Sequence, residues 1–357
     1  MKKSVLIAGF ATRHVACSAW KAGYDVYSVD HFCDRDLFWY TRDAINFGEL
    51  EDLPSACMEM IGRHPIDMAV FTSGAEAMHP AVPVKGTPPD RIGRFLDKLK
   101  TQEFFEELGI PVPRIAGDGQ YPVMIKPRTG SGGWRNRVVR NIKEKLNWEI
   151  EFENPPFIAQ EVVSGIPASV CCLANGKQAL AVSTNEQILR GENAAPYGFS
   201  GSVTPFLSAG AGQMVSYAEK IAAASGCVGN IGIDFIAGDD VWAIEVNPRF
   251  QATLDTVEMA TGINLFEAHI RACEGILPVK RPSAEHYAVR TILFAERDLT
   301  VTADMSPLAP AVADIPWPGT EIEEGHAVVS VYGRGRDREE ALSMLDKHIV
   351  TVRQYMK

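Results

Sequence analysis

Two hydrophobic periods alternate along the first part of the chain. Residues 4–8 are a continuous apolar run that stops at Gly9. Apolar positions then recur at helical spacing through Val15, Ala19 and Trp20 up to Gly23, and residues 25–29 form a second run closing on Asp30. Continuous runs of this length suit strands buried on both faces, so the pattern predicts a βαβ unit of a parallel sheet. Residues 68–72 supply a third strand, followed by Ser73-Gly74-Ala75-Glu76. That segment falls at the carboxyl edge of the sheet, where open α/β sheets put their ligands; a substrate contact from Ser73 or Glu76 and a plain connecting loop are equally compatible with it.

A proline- and glycine-rich segment over 82–90 then marks a lobe boundary. The spacing of Ile92, Phe95, Leu96, Leu99, Phe104, Phe105 and Leu108 predicts a helix over 91–108, stopped by Gly109 and the prolines at 111 and 113. Strands follow at 121–127, 157–163, 168–174 and 179–184, the last two joined at Asn175-Gly176, a hairpin signal. Residues 187–201 are polar and glycine-rich, and 211–224 read as a helix ended by Gly226. A hairpin spans 230–247, with Ile231, Ile233 and Phe235 alternating in one strand, Trp242, Ile244 and Val246 in the other, and Gly238-Asp239-Asp240 as the turn. Asn264 and Glu267 form a capping pattern for a helix over 265–273; strands at 288–294 and 327–332 and a helix over 338–355 complete the chain. The fold class is therefore α/β passing into α+β.

Composition narrows the function classes. The chain has 357 residues, enough for two or three lobes each with its own core, and 46% hydrophobic with 22% charged residues is a globular balance. A formal charge of −10 argues against a general nucleic-acid or membrane surface. Seven cysteines, an odd number without C-x-x-C spacing, indicate neither zinc nor a disulfide framework, and fit a reducing cytoplasmic location. The opening MKKSVLIAGF reads as a first strand rather than a leader, and no apolar run nears the roughly 20 residues needed to span a bilayer.

Three local patterns carry chemistry. In the hairpin, Glu245 and Asn247 are two apart and project together opposite the apolar series, joined by Arg249 if the strand runs through Pro248. With an even number of residues in the loop, Asp234 falls on the same face, gathering two carboxylates and an amide for one hard cation, naturally magnesium; a merely wet polar face is the alternative. The strand YPVMIKP ends in Lys126 and runs into Arg128-Thr129-Gly130-Ser131-Gly132-Gly133, whose exposed N–H groups can wrap phosphate oxygens beside the lysine charge. This is not a Walker A loop, since the lysine precedes the glycines. Gly9-Phe10-Ala11-Thr12-Arg13 has one glycine where a dinucleotide fingerprint needs three, so NAD is not expected. Lys98 on its helix would ordinarily be solvated.

Taken in order, Asp97-Lys98, Lys126 with its glycine loop, Gln160-Glu161-Val162-Val163, D-F-I and I-E-V-N-P-R resemble the ATP-grasp superfamily. The likeness covers about 90–275, and I-E-V-N-P-R followed by E-M-A-T-G-I-N-L resembles the carbamoyl-phosphate synthetase and biotin carboxylase branch; the whole chain resembles uncharacterised archaeal carboxylate-amine ligases. The resemblance implies a Rossmann-like lobe over 1–88, an ATP-grasp domain over 89–275 whose small antiparallel β lobe runs about 115–185, and a carboxy-terminal lobe over 276–357, the last two clamping ATP. It also implies that Lys98 and Lys126 reach the nucleotide phosphates and that Ser131, Gly132 and Gly133 close over them. Glu161, Val162 and Val163 would read the adenine amino group. Asp234, Glu245 and Asn247 would hold magnesium or manganese, and Arg249 would grip a carboxylate and then its acyl phosphate. Many relatives carry an acidic ribose ligand where this chain has Gly165-Ile166-Pro167. The implied reaction is ATP-dependent ligation of a small carboxylate and an amine, with room for a homodimer; bicarbonate-dependent carboxylation and an inactive nucleotide-binding regulator are the alternatives. No A-M-K-M biotin-carrier segment is present in the sequence.

Overall fold

The computed structural model describes residues 2–130, 132–191 and 195–356, so Ser131 and part of the 187–201 stretch lie outside the described residues. The initial apolar runs pair in parallel. Ser4–Gly9 lies between Asp25–Asp30 and Met68–Phe71, and Thr41–Asn46 adds an outer strand beside Asp25–Asp30. Ser4–Gly9 is buried throughout: Val5 and Ile7 pack with Val15, Ala16 and Ala19 on one face, Leu6 and Ala8 with Leu53, Ala56 and Met60 on the other. Period-two burial on both faces is what a continuous apolar run encodes. The strand at Thr41–Asn46 escapes sequence reading because TRDAIN carries four polar side chains on a half-buried edge.

After building outward to Thr41–Asn46, the chain returns to pair Met68–Phe71 on the other side of the first strand. The topological switch point therefore lies between Ser4–Gly9 and Met68–Phe71, where a crevice opens beyond the carboxyl ends. Gly9 occupies its tightest point: φ is +149°, and a Cβ there would sit 2.1 Å from Thr72 Oγ1.

The remaining strands are antiparallel. Arg137–Val139, Val123–Pro127 and Phe157–Glu161 make a three-stranded sheet around Trp148 of the helix Ile142–Glu151. Ile166–Asn175 and Ala179–Leu189, expected within the same small β lobe, instead join Val241–Asn247, Val228–Ala237, Phe199–Thr204, Tyr287–Phe294, Ala327–Gly335 and Val312–Ala313 in an eight-stranded sheet. The carboxy-terminal strands thus extend that sheet. Its principal core packs Ile231, Ile233 and Phe235 against Phe104 and Phe105 of Lys98–Glu107 and Met214, Ala218 and Ile221 of Ala211–Ser225.

The helix expected over 91–108 is two pieces, Pro89–Ile92 and Lys98–Glu107. Asp97 is extended and its carboxylate accepts the Leu99 N–H at 3.0 Å, an N-cap that competes with continuous helix and starts the second piece at Lys98. Among the described residues no helix is long and apolar enough to cross a membrane.

Candidate active site

The hairpin expected over 230–247 forms from Val228–Ala237 and Val241–Asn247, but by a route the sequence does not advertise. Ala237 pairs with Val241, leaving a three-residue loop, and an odd loop would set Asp234 opposite Ile244. A β-bulge between Asp234 and Phe235 inserts one extra residue on the second strand, so Asp234 pairs with Glu245 and Gly232 with Asn247. The bulge also corrects the expected apolar series. Val241, Ala243 and Val246 are the buried residues, while Trp242 and Ile244 are half-buried.

Asp234 and Glu245 are therefore direct cross-strand neighbours. Burial, then the Glu245 charge, push the Asp234 carboxyl up to about 7, against the opposing influence of Arg249, Gln187 and Asn247. Gln187 donates to Asp234 Oδ1 at 2.9 Å and Asn247 Nδ2 donates to Oδ2 at 3.0 Å. Two adjoining carboxylates, one unwilling to ionise, form a natural seat for a cation. Among the described residues no three His, Cys, Asp or Glu side chains gather into an all-protein metal cage, and what this face offers is two carboxylates and an amide. Such a set suits magnesium, which keeps waters and takes phosphate oxygens as further ligands. Asn247 turns its NH2 to Asp234 and its oxygen to Arg249, so serving as an oxygen ligand requires its amide to rotate.

Lys126 comes off the small sheet and Lys98 from the start of its helix, and both lie near Glu245. Lys98 Nζ donates to the Gly130 carbonyl at 2.7 Å and lies 3.8 Å from Glu245 Oε1, linking the glycine loop to the hairpin face. Lys126 is 7% exposed; burial, opposed by Glu245 and reinforced by Lys98, lowers its ammonium to about 8. Arg128, adjoining the loop, pairs with Asp97 and so ties the loop to the Lys98 helix. Gly133, at φ +71°, lies against the Tyr197 backbone, whose carbonyl oxygen would be 2.4 Å from a Cβ there. Gly132 also has positive φ; Ser131 lies outside the described residues.

Glu161 ends the small sheet, and its carboxylate accepts from Arg114: the backbone N–H at 3.0 Å, Nε at 3.0 Å and NH2 at 2.6 Å. These hydrogen bonds hold the carboxyl below its ordinary value. Val162 and Val163 continue as non-strand backbone, with Val162 exposed.

Arg249 does not continue the strand, which ends at Asn247 because Pro248 has no N–H to offer. A tight turn, with Arg249 N–H bonded to the Asn247 carbonyl, folds the guanidinium back onto the strand end. Its NH2 donates to Asn247 Oδ1 at 3.1 Å, NH1 to the Phe250 carbonyl, and Nε to Glu76 Oε1 at 2.7 Å. Three of its five N–H groups are thereby assigned. Glu76, from the loop after Met68–Phe71, thus brings the first lobe into the site; the sequence marks it only as a residue at a sheet edge. Gln187 was likewise not anticipated beyond its membership of a polar stretch.

A second charged cluster, also unanticipated, locks the lobes together. Arg13 at the start of Arg13–Lys21 bonds Asp255 through NH2 at 2.6 Å and Asp314 through Nε at 2.8 Å; Arg290 reaches Asp314 at 3.0 Å; and the Tyr332 hydroxyl donates to Asp255 at 2.6 Å. Burial raises the Asp255 carboxyl, but Arg13, His14 and Arg290 bring it down to about 2.

Comparison with known proteins bears on the family and the fold. Residues 95–253 match the ATP-grasp domain family. Over 358 aligned positions the chain is 25% identical to an uncharacterised protein of Methanocaldococcus jannaschii, covering 92% of this chain and 88% of that one. It is 26% identical to the carbamoyl phosphate synthase large chain of Methanoculleus marisnigri, over 71% of this chain but only 26% of the synthase, about a quarter of its length. The biotin carboxylase domain of Hydrogenobacter thermophilus 2-oxoglutarate carboxylase, solved with MgADP and bicarbonate, superposes with a TM-score of 0.80 at 17% identity, covering 98% of this chain and 90% of that one. Campylobacter jejuni biotin carboxylase superposes at 0.78 with 18% identity, over 96% and 90%. With its parallel amino-terminal sheet and antiparallel sheets elsewhere, the chain carries over residues 95–253 a match to the ATP-grasp domain, is similar in sequence to carbamoyl phosphate synthase and shares its fold with biotin carboxylase.

Proposed function

We propose that the protein is an ATP- and magnesium-dependent ligase that converts a carboxylate into an acyl phosphate for attack by an amine, releasing ADP and phosphate. The observation that carries this reading is the convergence of Lys98 and Lys126, one from a helix and one from a strand of the small sheet, on Glu245, itself paired with Asp234. Transfer of a phosphoryl group needs neutralisation of its oxygens more than any side-chain nucleophile, and two lysines with a divalent cation supply that. Asp234, Glu245 and the rotated Asn247 amide would hold the cation, which supplies charge neutralisation between the phosphates. Lys98, Lys126 and the loop of Ser131, Gly132 and Gly133 would hold the phosphates and keep water from the acyl phosphate. With the Glu161 carboxylate committed to Arg114, that side chain would act by fixing the interlobe strand, and the backbone of Val162 and Val163 would meet the adenine. Arg249 would present its remaining N–H groups to the substrate carboxylate.

The test is ATP turnover with a panel of carboxylates in the presence of hydroxylamine, which traps an acyl phosphate as a hydroxamate. ADP, phosphate and hydroxamate in equal amounts are expected. AMP as the product, or no acid-dependent ADP, would overturn the reading. Bicarbonate belongs in the panel, because the Hydrogenobacter carboxylase domain was solved with that anion beside MgADP.

A further inference from the structure

The carboxyl edge of the parallel sheet, beside the topological switch point, carries an aromatic surface that none of the nucleotide chemistry uses. Phe10 follows the first strand, and His31 and Phe32 follow the second. The Phe10 and His31 rings stack with centroids 4.5 Å apart and planes 13° from parallel, and Phe32 meets both edge-on, at 5.2 and 5.0 Å. Phe10 is 39% and Phe32 46% exposed. Contiguous exposed aromatic rings are unfavourable in water, and at such a sheet edge they mark a surface that is covered during function.

These loops are held rigidly. The buried Asp30 carboxylate accepts the Thr12 N–H and hydroxyl on one oxygen and the Phe32 and Cys33 N–H groups, both at 2.8 Å, on the other. One side chain thereby fixes both aromatic loops. His31 Nδ1 bonds the Phe47 carbonyl at 3.2 Å; a carbonyl only accepts, so that nitrogen carries the hydrogen and the ring is fixed in plane and tautomer. Preorganised rings present a binding face without further ordering cost.

The same edge faces the reaction site. Phe10 N–H bonds the Ser73 carbonyl at 2.7 Å, and Glu76, three residues on, holds Arg249. Glu76 also accepts the Gly74 N–H at 2.7 Å, so three hydrogen bonds in series place the Arg249 guanidinium within about 13 Å of the Phe10 backbone, a span a small molecule can bridge. The Trp317 indole donates to the Cys33 carbonyl, closing the far side of the second loop with the carboxy-terminal lobe.

We infer that the stacked Phe10–His31 pair with Phe32 is a specificity site for the carboxylate substrate, and that this substrate bears a planar ring on a short linker from the carboxylate that Arg249 receives. The inference rests on the proposed ligase reading for the role of Arg249, and the experiment separates the two. The probes are 3-phenylpropanoate, indole-3-propanoate and imidazole-4-propanoate, against hexanoate as an acid of comparable apolar size without a ring. Binding is read by saturation-transfer NMR with ADP and magnesium present, and turnover by ADP release. Variants are Phe10→Ala, Phe32→Ala and Phe32→Leu, the last keeping apolar area without the ring; calorimetric ADP affinity checks their fold.

A preference for at least one ring acid over hexanoate on the order of tenfold is expected, falling towards unity in both alanine variants and in Phe32→Leu. Equal handling of hexanoate and all three ring acids, or a preference that survives both alanine variants, would overturn the inference. Ring-acid binding that disappears in Phe10→Ala while no acid releases ADP would sustain the site and sink the ligase reading. Turnover confined to hexanoate would do the reverse. A wild-type dimer dissolved by Phe10→Ala would assign the rings to a second copy of the chain and also overturn the inference.

Discussion

Replacing Lys126 by methionine should make the unliganded protein more stable while removing its response to nucleotide. The side chain is buried near the end of the central strand of the small sheet, and its ammonium is lowered from 10.5 to about 8, burial outweighing Glu245. The sign follows from proton binding. As pH falls from about 10.5 to about 8 the unfolded chain takes up a proton that the folded state resists, so stability drops through that window and the penalty is constant below it. At about 1.4 kcal/mol for each tenfold change in protonation equilibrium, the full penalty is about 3 kcal/mol. Methionine keeps the unbranched shape and has no charge to bury. That penalty already contains the attraction to Glu245, which keeps Lys98 as a neighbour, so the net gain near pH 7 stays at about 3 kcal/mol. Urea or thermal midpoints with and without MgADP, near pH 7 and at about pH 10, measure this directly. The variant should lead the wild type near pH 7, lose most of that lead at about pH 10, and show no midpoint shift on adding MgADP. A variant less stable than wild type near pH 7 would mean that attraction to Glu245 exceeds the burial cost, and the assignment of Lys126 as a strained phosphate-binding residue would fail.

Glu245→Gln should lose the magnesium dependence of nucleotide binding, and near-normal turnover at low magnesium would show the hairpin has been misassigned. Arg249→Lys should leave ADP affinity within about threefold yet impair use of the acid, because the ammonium lacks the planar fork that a carboxylate takes; a matching loss of ADP affinity would move Arg249 into the nucleotide site. Asp255→Asn should cost about 3 kcal/mol near pH 7 by leaving Arg13 undercompensated, read as a lowered urea midpoint. Since the Asp255 carboxyl sits at about 2 when folded and near 3.8 when unfolded, its contribution is whole above about pH 4 and fades as pH falls through 2; a variant deficit unchanged at about pH 2 would refute that account.

What could be read without the fold were features written within a few residues of each other. The buried first strand, the lysine before a glycine loop, and the carboxylate and amide two apart at Glu245 and Asn247 are all local patterns with one physical meaning. What could not be read depends on partners far along the chain. Arg249 and Glu76 are 173 residues apart and Arg13 and Asp314 are 301 apart, and nothing near any of them names the other. Their pairing is decided by how whole lobes dock, so a guanidinium expected to await a substrate is already held on Nε by a carboxylate of the first lobe.

The hairpin illustrates a subtler limit. Sequence alone makes the meeting of Asp234 and Glu245 conditional on an even loop, and the loop is odd, yet the carboxylates meet. The bulge supplies the missing residue. A bulge leaves one side chain unpaired and weakens the ladder locally, so a fold retains one when the register beyond it matters more than the bonds lost. Beyond this one lie Val246, buried in the core, and Asp234, Glu245 and Asn247 on the opposite face. Without it Glu245 would stand opposite Ile233 and be driven into the apolar core, while Val246 would turn out to water. The cost of burying that carboxylate, several kcal/mol, exceeds the one or two hydrogen bonds the bulge gives up. The same burial energetics that order the core therefore bring the two acids together, and the proposed cation seat follows from the packing of Val246 as much as from the acids themselves.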